Sequence, residues 1–208
     1  LENHSPAVVS EILEGFAVNL CAFLIVLLNY AYLGLLPLVF FKRNGRANFF
    51  WWLTTCPFIF SLVTITLCTL GFYPPASGYN TVSTNVLALL AVLFSFTSIV
   101  LISCAVGSHS VPVALWHQQN DAPVHIVTWG AYRRIRHPLY ASYILMLSAG
   151  FVFCPDPCTA AALLIGSLIL NFTAAREEAK LSASQFGSEY QDYMRQTGRF
   201  LPKLSVKN

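Results

Sequence analysis

Residues 82–106 read VSTNVLALLAVLFSFTSIVLISCAV, without one Asp, Glu, Lys or Arg. A helix crossing the apolar core of a bilayer needs about 20 such residues. The stretch is not isolated: Gly15 to Phe41, Ala47 to Asn120, His137 to Pro155 and Pro157 to Ala175 are equally free of charge. Across 208 residues, 56% are hydrophobic and 10% charged, where a soluble domain carries about 25% charged residues; the mean hydropathy is +0.60. This composition excludes an ordinary soluble globule, a disordered or collagen-like chain and a disulfide-knit miniature. It leaves length for one small membrane domain, 1–208, with no room for a separate soluble catalytic domain.

The charge-free stretches divide into five spans. The first ends at Lys42, Arg43 and Arg46, with Gly45 among them. The long second stretch breaks at Tyr73-Pro-Pro-Ala-Ser-Gly-Tyr-Asn80, where prolines remove backbone donors and glycine favours a turn, giving spans near Phe49 to Phe72 and Val82 to Val106. Two shorter spans, near Leu139 to Phe153 and Thr159 to Ala175, are joined by Cys154-Pro-Asp-Pro-Cys158. The expected fold class is therefore all-α: a polytopic integral membrane protein with five transmembrane helices and a cytoplasmic C-terminal helical extension. Residues 1–106 form a three-span scaffold and 107–208 the half that carries chemistry.

Basic residues near span ends favour the cytoplasmic side. With five spans and the 42–46 loop inside, all 12 Lys and Arg fall inside, and the outer side receives only Glu2, Glu11, Glu14, Asp156 and the uncharged 73–80 loop. Four or six spans would break that segregation. The N-terminus is thus expected outside and the C-terminus in the cytoplasm, in an endoplasmic reticulum or bacterial inner membrane. The net charge of +3 reads as a topology signal and not as a nucleic-acid footprint. The acidic residues before the first span lack the basic region of a signal peptide. Cys21, Cys56, Cys68 and Cys104 lie in apolar spans and read as packing residues; no cysteine has metal-ligand spacing. Cys154 and Cys158 flank the outer turn, where a disulfide would form in an oxidising compartment.

Polar groups concentrate in two pieces, 107–140 and 171–203. In the first, His137-Pro138 opens a span, since proline is tolerated in a first helical turn, and the free N–H groups there can face an anionic ligand group. In the second, Phe186, Tyr190, Tyr193 and Met194 recur at i, i+4, i+7 and i+8, one apolar helix stripe best read as packing. Arg176 with Lys180 reads as a solvated helix end, but Glu177 and Glu178 sit at a span's mouth, where a carboxylate is costly unless partnered.

These two pieces resemble the integral-membrane methyltransferase family that includes isoprenylcysteine carboxyl methyltransferases and, more distantly, phosphatidylethanolamine N-methyltransferases. The first block is Gly130 and Tyr132, then Arg136-His137-Pro138-x-Tyr140; the second is Arg176-Glu-Glu-x-x-Leu181, Phe186-Gly-x-x-Tyr190-x-x-Tyr193 and Arg199-x-x-Pro202. The match covers roughly Gly107 to Lys203. It implies a pocket for S-adenosyl-L-methionine lined by Val124, His125, Ile126, Val127, Gly130, Tyr132, Arg136, His137, Pro138, Leu139 and Tyr140, with Glu178 and Glu177 contacting the cofactor from the last span. The chain departs from the family at Val124, where a histidine is usual and His125 follows instead. His109 and His117 read as loop or surface histidines.

Methyl transfer from a sulfonium is an in-line displacement, so an enzyme gains mainly by holding donor and nucleophile together and excluding water. Aromatic faces such as Tyr132, Tyr140 or Trp129 favour a sulfonium. A carboxylate acceptor, with a pKa near about 3.5, is already ionised at neutral pH and needs an orienting arginine, for which Arg176 and Arg199 are the candidates; an amine acceptor needs a base, His137 or Glu177. The expected acceptor is a lipophilic molecule in the bilayer, a prenylated cysteine or a lipid, with carboxyl O-methylation ahead of phospholipid N-methylation. Competing readings are an NADPH-dependent sterol-type reductase, which shares a similar Arg-His-Pro-x-Tyr-like turn, and a non-catalytic lipid-binding protein.

Overall fold

The computed structural model describes residues 6–35, 49–72, 81–108 and 126–203. Among them the chain is helical: α1 (Pro6–Leu35), α2 (Phe49–Thr69), α3 (Thr81–Gly107), a 3-10 turn at Gly130–Arg133, α4 (Pro138–Phe153), α5 (Pro157–Ser182) and α6 (Gly187–Gln196). No strand occurs among the described residues beyond one isolated parallel bridge, Ile135 with Gly198. The expected all-α class is therefore present, and the limits of α2, α3 and α4 lie within a few residues of those read from charge and proline, whereas α1 runs from Pro6 to Leu35 against the charge-free stretch Gly15 to Phe41, and α5 runs on to Ser182. The basic 42–46 loop and the 73–80 turn lie outside the described residues. Among the described residues two helices are long and apolar enough to cross a membrane, Asn85–Gly107 and Pro157–Ser182; Val18–Gly34, Thr55–Thr69 and Pro138–Phe153 are shorter apolar helices.

Helix α4 is the centre of the bundle. It packs most extensively on α3 and also meets α5, α1 and α2, while α1 rests on α3 and α2 on α5. Named contacts fix the directions. Phe23 meets Phe153 with ring centroids 6.2 Å apart and the Tyr143 hydroxyl donates to the Leu33 carbonyl at 3.2 Å, so α1 runs antiparallel to α4. Phe58 meets Tyr143 at 5.0 Å, while Ile65 lies against Gly150, so α2 runs parallel to α4. Ser98 Oγ donates to the Ser142 carbonyl at 2.8 Å and Ala131 N to Ser108 Oγ at 3.4 Å, making α3 antiparallel. With Tyr140 on Glu177 and Leu147 beside Gly166, α5 is antiparallel too. The five long helices thus alternate in direction.

The side chains are sorted by size as much as by polarity. On α3 the buried positions Ala88, Ala91, Ser95, Ser98, Ile102 and Ala105 are mostly small, whereas Leu89, Leu93, Phe96 and Val100 are exposed, Phe96 to 66%. On α5 the exposed face carries Leu164, Ile165, Leu168 and Phe172. Small inward residues let the helix backbones approach closely. Short polar links cross the interior: Tyr30 OH with Ser61 Oγ at 2.7 Å adds α2 to α1. Asn29 and Ser95, both fully buried, are the positions in this interior with a side chain lacking any hydrogen-bond partner.

Helix termini set the two ends. Pro138 occupies the first position of α4 and Cys154 closes it before Pro155. Asp156 caps α5: its Oδ1 accepts from Cys158 N at 2.8 Å, and its own N–H donates to Thr159 Oγ1 at 3.3 Å, a reciprocal cap that satisfies donors the helix cannot. Gly150 is where three helices converge, because a Cβ there would lie 2.4 Å from the Tyr30 hydroxyl and 2.8 Å from Ile65 Cδ1. Gly150→Ala is expected to cost about 1–3 kcal/mol, the usual range for overpacking, whereas Gly34→Ala, with nothing within 4 Å of the added carbon, is expected to leave thermal unfolding in detergent unchanged or slightly raised. Equal stabilities of the two variants would contradict this packing.

Candidate functional site

The two sequence blocks meet at one end of the bundle, where α4 begins and α5 has passed its apolar part. The backbone brings them together first. Arg136 N donates to Gly198 O at 2.8 Å, His137 N to Arg199 O at 3.0 Å, and Gly198 N to Arg134 O at 3.2 Å. This short parallel pairing lays the 197–199 strap beside the entry to α4. It also uses donors ahead of α4 that would otherwise lack partners.

Glu178 is the hub of the side-chain network. Arg136 Nε donates to its Oε1 at 2.9 Å, Arg199 Nη2 to its Oε2 at 2.6 Å, and Arg199 Nε to Oε1 at 3.2 Å. Each arginine has a second anchor: Arg136 Nη1 donates to the carbonyls of Thr197 and Met194, and Arg199 Nη1 to Asn171 Oδ1 at 2.8 Å. Charge-assisted, forked contacts of this kind are the stronger class of protein hydrogen bond. Hydrogen bonding to Glu178 raises the Arg199 guanidinium above its ordinary pKa, against the opposing effect of burial.

His137 lies between the two glutamates. Its Nε2 comes within 3.3 Å of Glu178 Oε1, and its Nδ1 within 3.6 Å of Glu177 Oε2. The imidazole is buried, stacks on the Tyr140 ring at 5.3 Å with an interplanar angle of 3° and meets Phe200 at 6.3 Å. The 3.3 Å contact with Glu178 puts Nε2 against the carboxylate inside the buried cluster. Tyr140 OH donates to Glu177 Oε1 at 2.6 Å. Glu177 is the more open of the pair, its side chain 33% exposed against 9% for Glu178.

A phenolic group closes one side: Tyr193 OH donates to the Tyr132 carbonyl at 2.6 Å. Burial, reinforced by Tyr193 and Glu177, holds the Tyr132 hydroxyl well above the ordinary phenol pKa. Burial also pushes Tyr193 up to about 12, against the lowering effects of Arg136 and the Thr197 hydrogen bond. Both are neutral donors near pH 7. The turn before them depends on Gly130, whose φ of +62° only glycine adopts cheaply; a Cβ there would also strike Ser108 Oγ at 2.0 Å. In this way α3 supports the turn that carries Tyr132.

The structure therefore brings together Arg136, His137, Tyr140, Glu177, Glu178 and Arg199, with Pro138 and Leu139 on the same helical turn and Gly130 and Tyr132 on the turn before it. Arg176 stands apart, exposed and with no ion-pair partner among the described residues. Ile126 and Val127 are half-buried in the lead to the turn. Val124, His125, His109 and His117 lie outside the described residues. Tyr190 is buried with its ring 5.8 Å from that of Tyr193, as the stripe reading expects. Among the described residues no group of three or more His, Cys, Asp or Glu is arranged to hold a metal ion.

Sequence reading missed Asn171, Ser108 and Thr197. Asn171 carried a signal, because it precedes Glu178 by seven residues and shares its helix face. The other two act through a backbone turn and a carbonyl and carried none. The network makes its own forecast. Arg136→Ala, which strips a buried carboxylate of a nearly buried partner, is expected to cost about 3–5 kcal/mol; Arg199→Ala, at a side chain one-third exposed, is expected to cost clearly less after solvent screening. Chemical unfolding of the two variants checks the order, and the reverse order would remove Glu178 from the centre. Compared with known protein families, characterised proteins and solved structures, the chain matches none.

Proposed function

We propose that this chain is an S-adenosyl-L-methionine-dependent methyltransferase acting on a lipophilic acceptor held in the bilayer, with carboxyl O-methylation as the preferred chemistry. The observation that carries the reading is the convergence of His137, Glu177 and Tyr140 with the Glu178 arginine cluster, from two blocks about 40 residues apart whose joint pattern resembles the methyltransferase family. The residues fit such a cofactor: Glu177 is a half-open carboxylate for an ammonium or a ribose, His137, held 3.3 Å from Glu178, stands beside it, and Trp129 and Tyr132 offer aromatic faces.

The cofactor, when bound, supplies an electrophilic methyl group. The chain's own residues bind, orient and exclude water. Glu178, spanned by two arginines, fixes the strap and the imidazole; Glu177 faces the ligand. Arg199 forks onto Glu178 and Asn171, so of the two arginines expected to orient an acceptor carboxylate, exposed Arg176 is the one left for that task. An ionised carboxylate needs no proton removed, so this chemistry asks no base of the site.

For the membrane, the proposal is five spans, α1 to α5, with the site at the cytoplasmic end and the N-terminus outside. Its support is the alternation of helix direction, the small-inside and large-outside sorting on α3, and the charge distribution: Arg133, Arg134, Arg176, Lys180, Arg195 and Lys203 lie at the His137 end and Asp156 at the other. The expected membrane is that of the endoplasmic reticulum or a bacterial inner membrane.

Calorimetric titration of detergent-purified protein with S-adenosylhomocysteine, with NADPH as control, tests the reading. Saturable binding of S-adenosylhomocysteine alone is expected; binding of NADPH alone would transfer the chain to the reductases, and silence from both in a folded preparation would favour a non-catalytic role. Glu177→Gln is expected to weaken S-adenosylhomocysteine binding at least tenfold with little change in thermal stability, whereas Glu178→Ala is expected to lose both. Unchanged affinity in the Glu177 variant would exclude that carboxylate from the pocket.

A further inference from the structure

At the end of the bundle opposite His137, three free thiols converge where α2 meets the α4–α5 turn. Cys68 stands in the last turn of α2, Cys154 caps α4, and Cys158 lies in the first turn of α5. Cys154 is 4% exposed and belongs to the core cluster; Cys68 is half-buried and packs against that cluster. The spacing of the sequence suggested pairing of Cys154 with Cys158, but the contacts favour another partner. Ile65, one turn before Cys68, lies against Gly150, one turn before Cys154, so the parallel α2 brings Cys68 level with Cys154 and packs it on the cluster to which Cys154 belongs; of the two other thiols, Cys68 acts on Cys154 more strongly than Cys158 does. Cys158 lies beside Asp156, the capping residue, whose Oδ1 accepts from its backbone N–H at 2.8 Å. Thr159 Oγ1, donating to the Cys154 carbonyl at 2.6 Å, holds the turn in place.

We propose that Cys68 and Cys154 are a redox-reactive dithiol site, which a low-molecular-weight disulfide oxidises to an inter-helix disulfide stapling α2 to the α4–α5 turn. The reaction is thiol–disulfide exchange. Cys68, the more accessible thiol, loses its proton and attacks one sulfur of the small disulfide, forming a mixed disulfide and releasing one small thiolate. Cys154 then loses its proton and attacks the mixed disulfide at the Cys68 sulfur, releasing the second small thiolate. The two protons given up by the cysteines end on the two released thiols, so the protein is oxidised by two electrons and the small disulfide reduced by two. Burial holds the Cys154 thiol above the ordinary thiol pKa, which suits it to the second, intramolecular step, where proximity compensates for a small thiolate fraction. The bond joins helices far apart in sequence, so it restrains the unfolded chain more than a Cys154–Cys158 link closing a single turn. This inference does not depend on the methyl-transfer reading.

The test uses the full chain in detergent, treated with oxidised glutathione, quenched by alkylation under denaturing conditions and digested without reductant for mass spectrometry. A peptide carrying Cys68 joined to one carrying Cys154 is expected, together with a rise of several degrees in melting temperature that dithiothreitol reverses. Cys158→Ser is expected to keep both results and Cys68→Ser to lose both. Linkage of Cys154 to Cys158, glutathione retained on Cys68 with Cys154 fully alkylated, or full alkylation of both thiols would each overturn the proposal; the peptide map of the unsubstituted protein decides this even if a variant fails to fold.

Discussion

A carboxylate removed from water must be matched, and the buried Glu178 is matched by two arginines from different parts of the chain. That demand organises the whole C-terminal half. Arg136 stands at the entrance to α4 and Arg199 on the strap beyond α6, so pairing both with one side chain of α5 draws three separate segments to a point. The arginines spend their remaining donors on Asn171 and on the carbonyls of Met194 and Thr197. Removing any one member leaves buried charge or unmet donors behind, which is far costlier than the net value of the intact pair. The parallel backbone pairing of 134–137 with 198–199 follows the same path.

The bundle beneath is a platform with two chemically distinct ends. Because α4 touches every other long helix, its first residue and its last are held by the same packing, yet one end gathers His137, two glutamates and the arginines while the other gathers thiols around a capping aspartate. Small residues on the buried faces of α3 and α4, and Gly150 at the three-helix crossing, allow this close approach. On α3 and α5 most of the larger apolar side chains point outward, Phe172 to 70% exposure, while Met146 and Leu147 of α4 are buried. Within the interior, hydroxyls of Tyr30, Ser61, Ser98 and Tyr143 bridge neighbouring helices and fix their rotation, a role that apolar contacts, being non-directional, fill poorly.

The sequence by itself determined that the chain is helical and where most of its helices begin or end. Absence of charge, prolines at 138, 155 and 157, and the glycine at 187 are local signals that α3, α4, the start of α5 and the start of α6 follow closely, whereas α2 runs through Pro57 unbroken. It also marked which segments carry chemistry, since polar residues in so apolar a chain are few. What only the tertiary structure decided is partnership. Glu177 and Glu178 are adjacent and alike in sequence, yet one is enclosed by arginines and the other is left half-open with Tyr140. Cys154 has Cys158 close by in sequence, yet the core cluster it belongs to is packed by Cys68 from α2. Helical periodicity assigns a residue to a face, but which face meets it from another helix depends on how the helices rotate and slide until their buried polar groups are satisfied, and that condition is not local in the chain.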